Sequence, residues 1–360
     1  MTTTPTADID AQLRQFRADV AGILSGFLRE QVEVFSAISS DLLPLLDTLE
    51  DLLDGGKRLR PTFAYWGWRS AGGDPDGPIL KAASALEFLQ ACALIHDDVM
   101  DGSDTRRGKP AAHRRLASMH RSHGYLGSPE DFGTGSAILL GDLCLSWSDE
   151  LLTNSDLPPA ALTAVKPLFD EMRTELMAGQ YLDLLEQARG AFSLEESLRV
   201  ARFKSAKYTV ERPLHIGAAA AGAGSEHLRQ LSDFGIPLGE AFQLRDDLLG
   251  VFGDPAETGK PAGDDLREGK RTALVALAWN NADAVQQDML RRHLGDPAIT
   301  PAMVDQLREV ITGTGARAEV ERMIDERFAR CAEVLAAMEL DEVTLAAFQR
   351  LMVLATRRTA

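Results

Sequence analysis

An all-α protein is the fold class that this chain predicts, and three observations predict it. Ala, Leu, Glu and Arg recur at three- and four-residue spacing through most of the 360 residues. Alternating β-branched runs are scarce. Gly- and Pro-rich breaks leave stretches of ordinary helical length between them.

Taken in order, the start Met1 to Asp8 has neither a basic nor an apolar segment of a secretory signal, and residues 1–8 are expected to be disordered. Residues 9–360 are read as one domain, because no linker-like shift in composition divides them. Asp54-Gly-Gly-Lys57-Arg58-Leu59-Arg60-Pro61 ends one helical segment and opens the next. Ala71 to Pro78 is a turn rich in Gly and Pro, and His123 to Gly135 is expected to be a long exposed loop. Leu157-Pro-Pro159, Gly253 to Gly263 and Asp296-Pro297 are further breaks. Ile216 to Ala221 is a small-residue packing surface. No apolar run of about 18 residues is present, so no membrane span is expected. Three scattered cysteines make no zinc pattern or disulfide framework, which suits a reducing cytoplasm. The net charge of −16 argues against a nucleic-acid partner.

Two acid clusters carry the chemistry. The first is His96-Asp97-Asp98-Val-Met-Asp101, at the end of an apolar stripe through Leu86, Leu89, Gln90 and Ala93. On a helix, Asp97 and Asp101 point the same way with Asp98 beside them. Acids stabilise helix N-termini, whereas this cluster follows its apolar stretch, so mutual repulsion needs an external remedy. A hard divalent cation supplies one. The loop that follows, Gly102 to Pro110, frees Arg106 and Arg107 to diverge toward separate anions, for which the planar guanidinium is suited.

The second cluster is Gln243-Leu-Arg-Asp246-Asp247, with Gly250 where a third acid could stand. Lys260 and Lys270 lie beyond it on glycine-bounded segments. They read either as solvated loop lysines or as cations closing over a metal-bound diphosphate. Lys57 and Arg60, the basic stretch Arg202 to Tyr208 with Lys204 and Ser205, and the pair Gln180 and Asp183 each have an ordinary surface or core reading as well.

Together these segments resemble the trans-isoprenyl diphosphate synthases, the polyprenyl synthetase family. Gly56-Lys57-x-x-Arg60, then Asp97-Asp98-x-x-Asp101, Arg106-Arg107-Gly108, Lys204-Ser205 and Phe242-Gln243-x-x-Asp246-Asp247 occur in the family's order. The resemblance implies an antiparallel helical bundle of isoprenoid synthase type around a deep central cavity, and a homodimer. It implies that Asp97, Asp101 and Asp246 bind Mg²⁺, three ions per site, with Asp98 supporting, Asp247 assisting through water, and Mn²⁺ able to substitute. Arg106, Lys204, Lys260 and Lys270 would hold an allylic diphosphate. Lys57, Arg60, Gln90 and Arg107 would hold isopentenyl diphosphate. Ser205 and Gln243 would lie near the reacting carbons. Gln90 stands where many members have His, and it can still donate to a phosphate.

The implied reaction ionises the allylic diphosphate, and the double bond of isopentenyl diphosphate attacks the resulting cation. Metal ions and basic side chains stabilise the departing diphosphate, and an apolar pocket excludes water. The growing chain is expected to descend the helix bearing Asp97. Cys92 and Ala93 are too small to stop it, and Phe88 with Leu89 lies about 12 to 14 Å down, at a rise of roughly 1.5 Å per residue. A floor there fits a farnesyl acceptor and a geranylgeranyl product; a Phe88 turned away from the cavity means longer products.

Three other readings compete. A class I terpene cyclase carries Asn, Ser or Thr and Glu in its second metal motif, where this chain has Asp246 and Asp247. An HD-type phosphohydrolase needs a His upstream of His96, and the chain has none. A silent regulatory subunit is expected to lose acids of the first cluster, which are all present. The Arg357-Arg358 tail has no assigned role.

Overall fold

The structure, a computed structural model, describes residues 5–254, 263–296 and 298–357. Among them the chain is helical apart from two strands of two residues each. The helix that opens the fold, α1, runs Pro5–Ile38, so residues 5–8, expected to be disordered, belong to its backbone. Although composition offers no linker, the chain folds as two compact units, residues 1–165 with 216–223 and residues 166–215 with 224–360.

In the first unit, α1 is followed by α2 (Leu43–Leu53), α3 (Leu59–Ser70), α4 (Ile79–Met100), α5 (Ala112–Ser122), α6 (Pro129–Thr153) and about the first two turns of α7 (Pro159–Arg189). Helix α4 is central and packs against α3 and α6. It is apolar on every side, and Ala82 to Leu89 are buried without interruption. It is 22 residues long and apolar, and two thirds of its most apolar window is buried inside the protein, as in a core helix. Phe27 of α1 and Trp147 of α6 pack on Phe88 of α4, with ring centroids 5.0 and 6.1 Å away. Only Lys81, Ser84, Glu87 and Gln90 interrupt the apolar sequence before the polar end that begins at His96.

The segment His123 to Gly135 is largely helix. Helix α6 starts at Pro129, where the Ser128 side chain accepts from the Asp131 amide and Glu130 and Asp131 occupy the first turn. Cap and acids outweigh the glycines, which leaves only residues 123–128 as connection. Gly217 lies where a Cβ would come 1.7 Å from the Ala64 carbonyl oxygen, so the small-residue surface is a backbone-to-backbone contact with α3.

In the second unit, α8 (Leu194–Val200) continues into an 11-residue π-helix, Ala201–Glu211, and then the first four residues of α9 (Arg212–Ala220), whose remainder belongs to the first unit. Helix α10 (Ser225–Phe252) packs on that π-helix and on α15 (Ala316–Ala337). The shorter helices α11 (Asp264–Glu268), α12 (Ala273–Asn281), α13 (Ala284–His293) and α14 (Pro301–Gly313) and the last, α16 (Glu342–Thr356), complete it. Leu244, Leu248 and Val251 of α10 join Leu274, Leu307 and Ile324 in its core.

Candidate active site

The first acid cluster closes α4. The Asp101 amide donates to the Asp97 carbonyl at 2.8 Å, so the helix holds its pitch to Asp101 and the two acids keep their common face. Asp98 is buried, with 2% of its surface exposed. Both its carboxylate oxygens accept from the Arg106 Nε, at 2.9 and 3.2 Å, and Arg106 Nη2 donates to Oδ1 as well. The same Nη2 lies 3.7 Å from Asp97. Asp98 thus holds Arg106, whereas the sequence reading gave it a supporting part in metal binding.

Arg106 reaches back because the loop is a tight hairpin. Thr105 pairs with Pro110 and Arg106 with Lys109. The two residues between, Arg107 at φ 54° and Gly108 at φ 74°, have the left-handed backbone that a two-residue hairpin needs. The adjacent arginines diverge as expected, but Arg107 Nη1 donates to the Leu52 carbonyl at 3.1 Å, at the end of α2. Burial of the guanidinium lowers its pKa from the ordinary arginine value, with Glu87 opposing and Arg58, Arg106 and Arg60 reinforcing. Its outer surface stays exposed.

Lys57 is exposed, and Arg60 and Gln90 are half-buried. Between the two cations Arg58 is buried and left-handed at φ 49°, a conformation that costs a side-chain-bearing residue roughly 1–2 kcal/mol. Its Nη1 donates to Glu87 of α4 at 2.5 Å and its Nη2 to the Leu53 carbonyl. His96 Nε2 lies 3.1 Å from the Ile138 carbonyl oxygen, in space that a Cβ on Gly141 would fill. His96 therefore ties α4 to α6.

Phe88 is not a floor. Nine residues before Asp97 at about 100° per residue, it faces the opposite side of α4, into the Phe27–Trp147 cluster. Leu89 and Cys92 are fully buried and Ala93 is half-buried. Leu86, on nearly the same face as Asp97 and about 16 Å down, is fully buried as well.

The second cluster sits on α10 in the other unit. Asp247 is fully buried, and desolvation pushes its carboxyl up to about 8, with the Gln243 hydrogen bond opposing and Asp265 and Asp246 reinforcing. Gln243 Nε2 donates to Asp247 at 2.8 Å, and the Ser205 hydroxyl donates to Gln243 Oε1 at 2.5 Å. Ser205 and Lys204 lie on the π-helix, and Lys204 pairs with Asp183 at 2.7 Å. π-Helical turns are rare and recur at functional sites. Two glycines hold this one in place. A Cβ on Gly179 would come 2.4 Å from the Lys204 amide nitrogen, and one on Gly239 would come 2.4 Å from Ala206 Cα. A Cβ on Gly250, the expected position of a third acid, would come 2.0 Å from the Asp265 carboxylate, so a larger side chain there requires Asp265 to move. Lys270 pairs with Glu268 at 2.8 Å, and Lys260 lies outside the described residues. Arg357 packs over Phe328 at 4.9 Å, and Arg358 is outside the described residues.

Sequence reasoning missed Arg58, Glu87, Gly141, Gly179 and Gly239. For the three glycines a signal existed, since each interrupts a helical pattern without a turn to require it.

For a metal, the donor set is all oxygen, as hard divalent cations require. Among the described residues no three His, Cys, Asp or Glu side chains gather round a point that could hold an ion. A cation such as Mg²⁺ takes one or two carboxylates and completes its shell with water and substrate phosphate.

Comparison with known proteins gives one answer. The polyprenyl synthetase family profile matches residues 44–311. A geranylgeranyl pyrophosphate synthase from Corynebacterium glutamicum, solved with isoprenyl diphosphate and magnesium, superimposes with a TM-score of 0.93 at 40% identity, covering 96% of this chain and 99% of that one. A geranylfarnesyl diphosphate synthase of Aeropyrum pernix is 34% identical over 73% of this chain and 77% of its own length. A geranylgeranyl diphosphate synthase of Mycobacterium tuberculosis is 30% identical over 88% of this chain and 86% of its own.

Proposed function

The chain belongs to the polyprenyl synthetase family, and from that premise we propose that it is a trans-prenyl diphosphate synthase whose main product is geranylgeranyl diphosphate. Asp97, Asp101 and Asp246 would hold Mg²⁺, three ions per site, with Mn²⁺ as a substitute and Asp247 assisting. Bound metal would neutralise charge on the allylic diphosphate as it leaves. Arg106, aimed by Asp98, and Lys204, Lys260 and Lys270 bind that diphosphate. Lys57, Arg60, Gln90 and Arg107 bind isopentenyl diphosphate, for which Arg107 leaves the Leu52 carbonyl. Ser205 and Gln243 orient the reacting carbons. The released diphosphate takes the proton, since no protein base is evident. A homodimer acting in the cytoplasm, without nucleic-acid or membrane-spanning partners, belongs to the same reading.

The observation that carries the product assignment is the small side chain at Ala93 above the buried Leu89. One finding favours a second reading: with Phe88 facing the core, no aromatic side chain blocks the descent at that level, which points to a C25 product. Incubating the pure protein with Mg²⁺, isopentenyl diphosphate and each allylic diphosphate, with product length read by mass spectrometry, decides between them. A C20 main product is expected. Ala93→Phe should shorten it toward farnesyl or geranyl diphosphate, and Leu89→Ala should lengthen it. Cyclised hydrocarbon, or no elongation, rejects the assignment.

A further inference from the structure

We propose that the buried Arg58–Glu87 pair is a positioning device for the homoallylic diphosphate, fixing the loop that presents Lys57 and Arg60. The inference rests on the reading that Lys57, Arg60 and Arg107 hold isopentenyl diphosphate.

The loop between α2 and α3 has every reason to wander. Gly55 at φ 74°, Gly56 at φ 86° and Arg58 at φ 49° give it three left-handed residues around Lys57. Glycine supplies that freedom at a cost in order. Arg58 removes it. Its guanidinium joins two elements at once, Glu87 on α4 and the last turn of α2 through the Leu53 carbonyl. Its own carbonyl accepts from the Thr62 amide at 3.1 Å and the Thr62 hydroxyl at 2.6 Å, which starts α3. One residue therefore joins the end of α2, the start of α3 and the body of α4. Lys57 precedes it and Arg60 follows two residues later, so the three cannot move independently.

Arg107 converges on the same place. It donates to the Leu52 carbonyl, one residue before the Leu53 carbonyl that Arg58 takes. Its guanidinium passes 3.1 Å from where a Cβ on Gly56 would be. Two left-handed arginines thus grip adjacent carbonyls at one helix C-terminus, where positive charge is favoured. Glu87 is 5% exposed and Arg58 6%. A pair so buried is a weak source of stability, and apolar replacements of both partners are often tolerated, so stability alone does not account for it.

The test uses Arg58→Met, Glu87→Met and the double variant in two-substrate steady-state kinetics, with Tm alongside. Each single variant should raise KM for isopentenyl diphosphate roughly tenfold, the worth of one hydrogen bond to a charged group. KM for the allylic diphosphate and kcat should stay within about twofold. The double variant, free of an unpaired buried charge, should regain Tm while keeping the raised KM. The proposal is overturned if KM returns with Tm in the double variant, or if both substrates' KM values rise together. Where a single variant does not fold, the double variant and Arg58→Lys decide: a lysine that cannot reach both partners should leave KM raised. Wild-type enzyme that elongates no allylic diphosphate would instead remove the functional reading beneath the proposal, and that shows before any variant is made.

Discussion

At the end of α4, Asp98 gives both carboxylate oxygens to Arg106, a cation eight residues along the chain; at Asp247 the partner is the neutral amide of Gln243. Both acids are buried, so each has lost the water that would solvate its charge. The first is neutralised by an opposite charge delivered through a hairpin. The second has burial and two nearby acids, Asp265 and Asp246, against the Gln243 hydrogen bond and the weaker pull of Lys270, and its carboxyl is driven up to about 8. The first cluster is thus assembled from local sequence. The second has its carboxyl raised by burial, and its geometry depends on segments far away in the chain.

The largest expected effect breaks the first arrangement. Arg106→Met strands Asp98 as a buried charge, at about 3 kcal/mol in chemical denaturation. It also removes a cation from the departing diphosphate, and kcat/KM should fall by about 10²–10³. Arg106→Lys should recover little, because an ammonium cannot span both carboxylate oxygens as the fork does. A variant retaining most of its activity would mean that Arg106 serves only the fold.

A smaller effect should follow from crowding the π-helix. Gly239→Ala places a methyl against Ala206 and should destabilise by about 1–3 kcal/mol. Displacement of Ser205 and Lys204 should lower kcat more than it alters KM for isopentenyl diphosphate. Equal changes in both would indicate that the π-helix is not specific to the second cluster.

The smallest is a pH effect in the same region. Burial holds the His215 imidazole below its ordinary 6.5, with Glu211 opposing and Arg212 and Lys207 reinforcing. The unfolded chain then binds the proton more readily, so stability is full above about pH 6.5 and falls as pH drops below it. His215 Nε2 meets the Leu228 carbonyl oxygen at 2.9 Å, which a glutamine amide can also reach. His215→Gln should reduce the acid-side drop in Tm by about 2–4 °C. An unchanged acid slope would assign the dependence elsewhere, with His113 and His227, both also lowered, next in line.

Helical periodicity, the glycine and proline breaks, and the order of acids and cations were legible without coordinates, because each depends on residues a few positions apart. The spacing of Asp97 and Asp101 needs only the pitch of a helix. The hairpin that parts Arg106 from Arg107 needs only its Gly108. Where a local signal competed with another, the reading failed: the glycines of residues 124–135 suggested a loop, but the Ser128 cap and the acids behind it made a helix.

What the amino-acid order determined by itself is the all-helical class and the chemical content of the two clusters, since pitch and side-chain charge travel with the residue. Packing decided the rest. Phe88 turned to Phe27 and Trp147 because those rings bury it, which no spacing within α4 announces. The π-helix under Lys204 depends on Gly179 and Gly239, and the hold on Lys57 and Arg60 depends on Glu87. Each is a contact between segments tens of residues apart. Burial set its strength, because a charge or a close approach that water would soften becomes decisive once water is excluded.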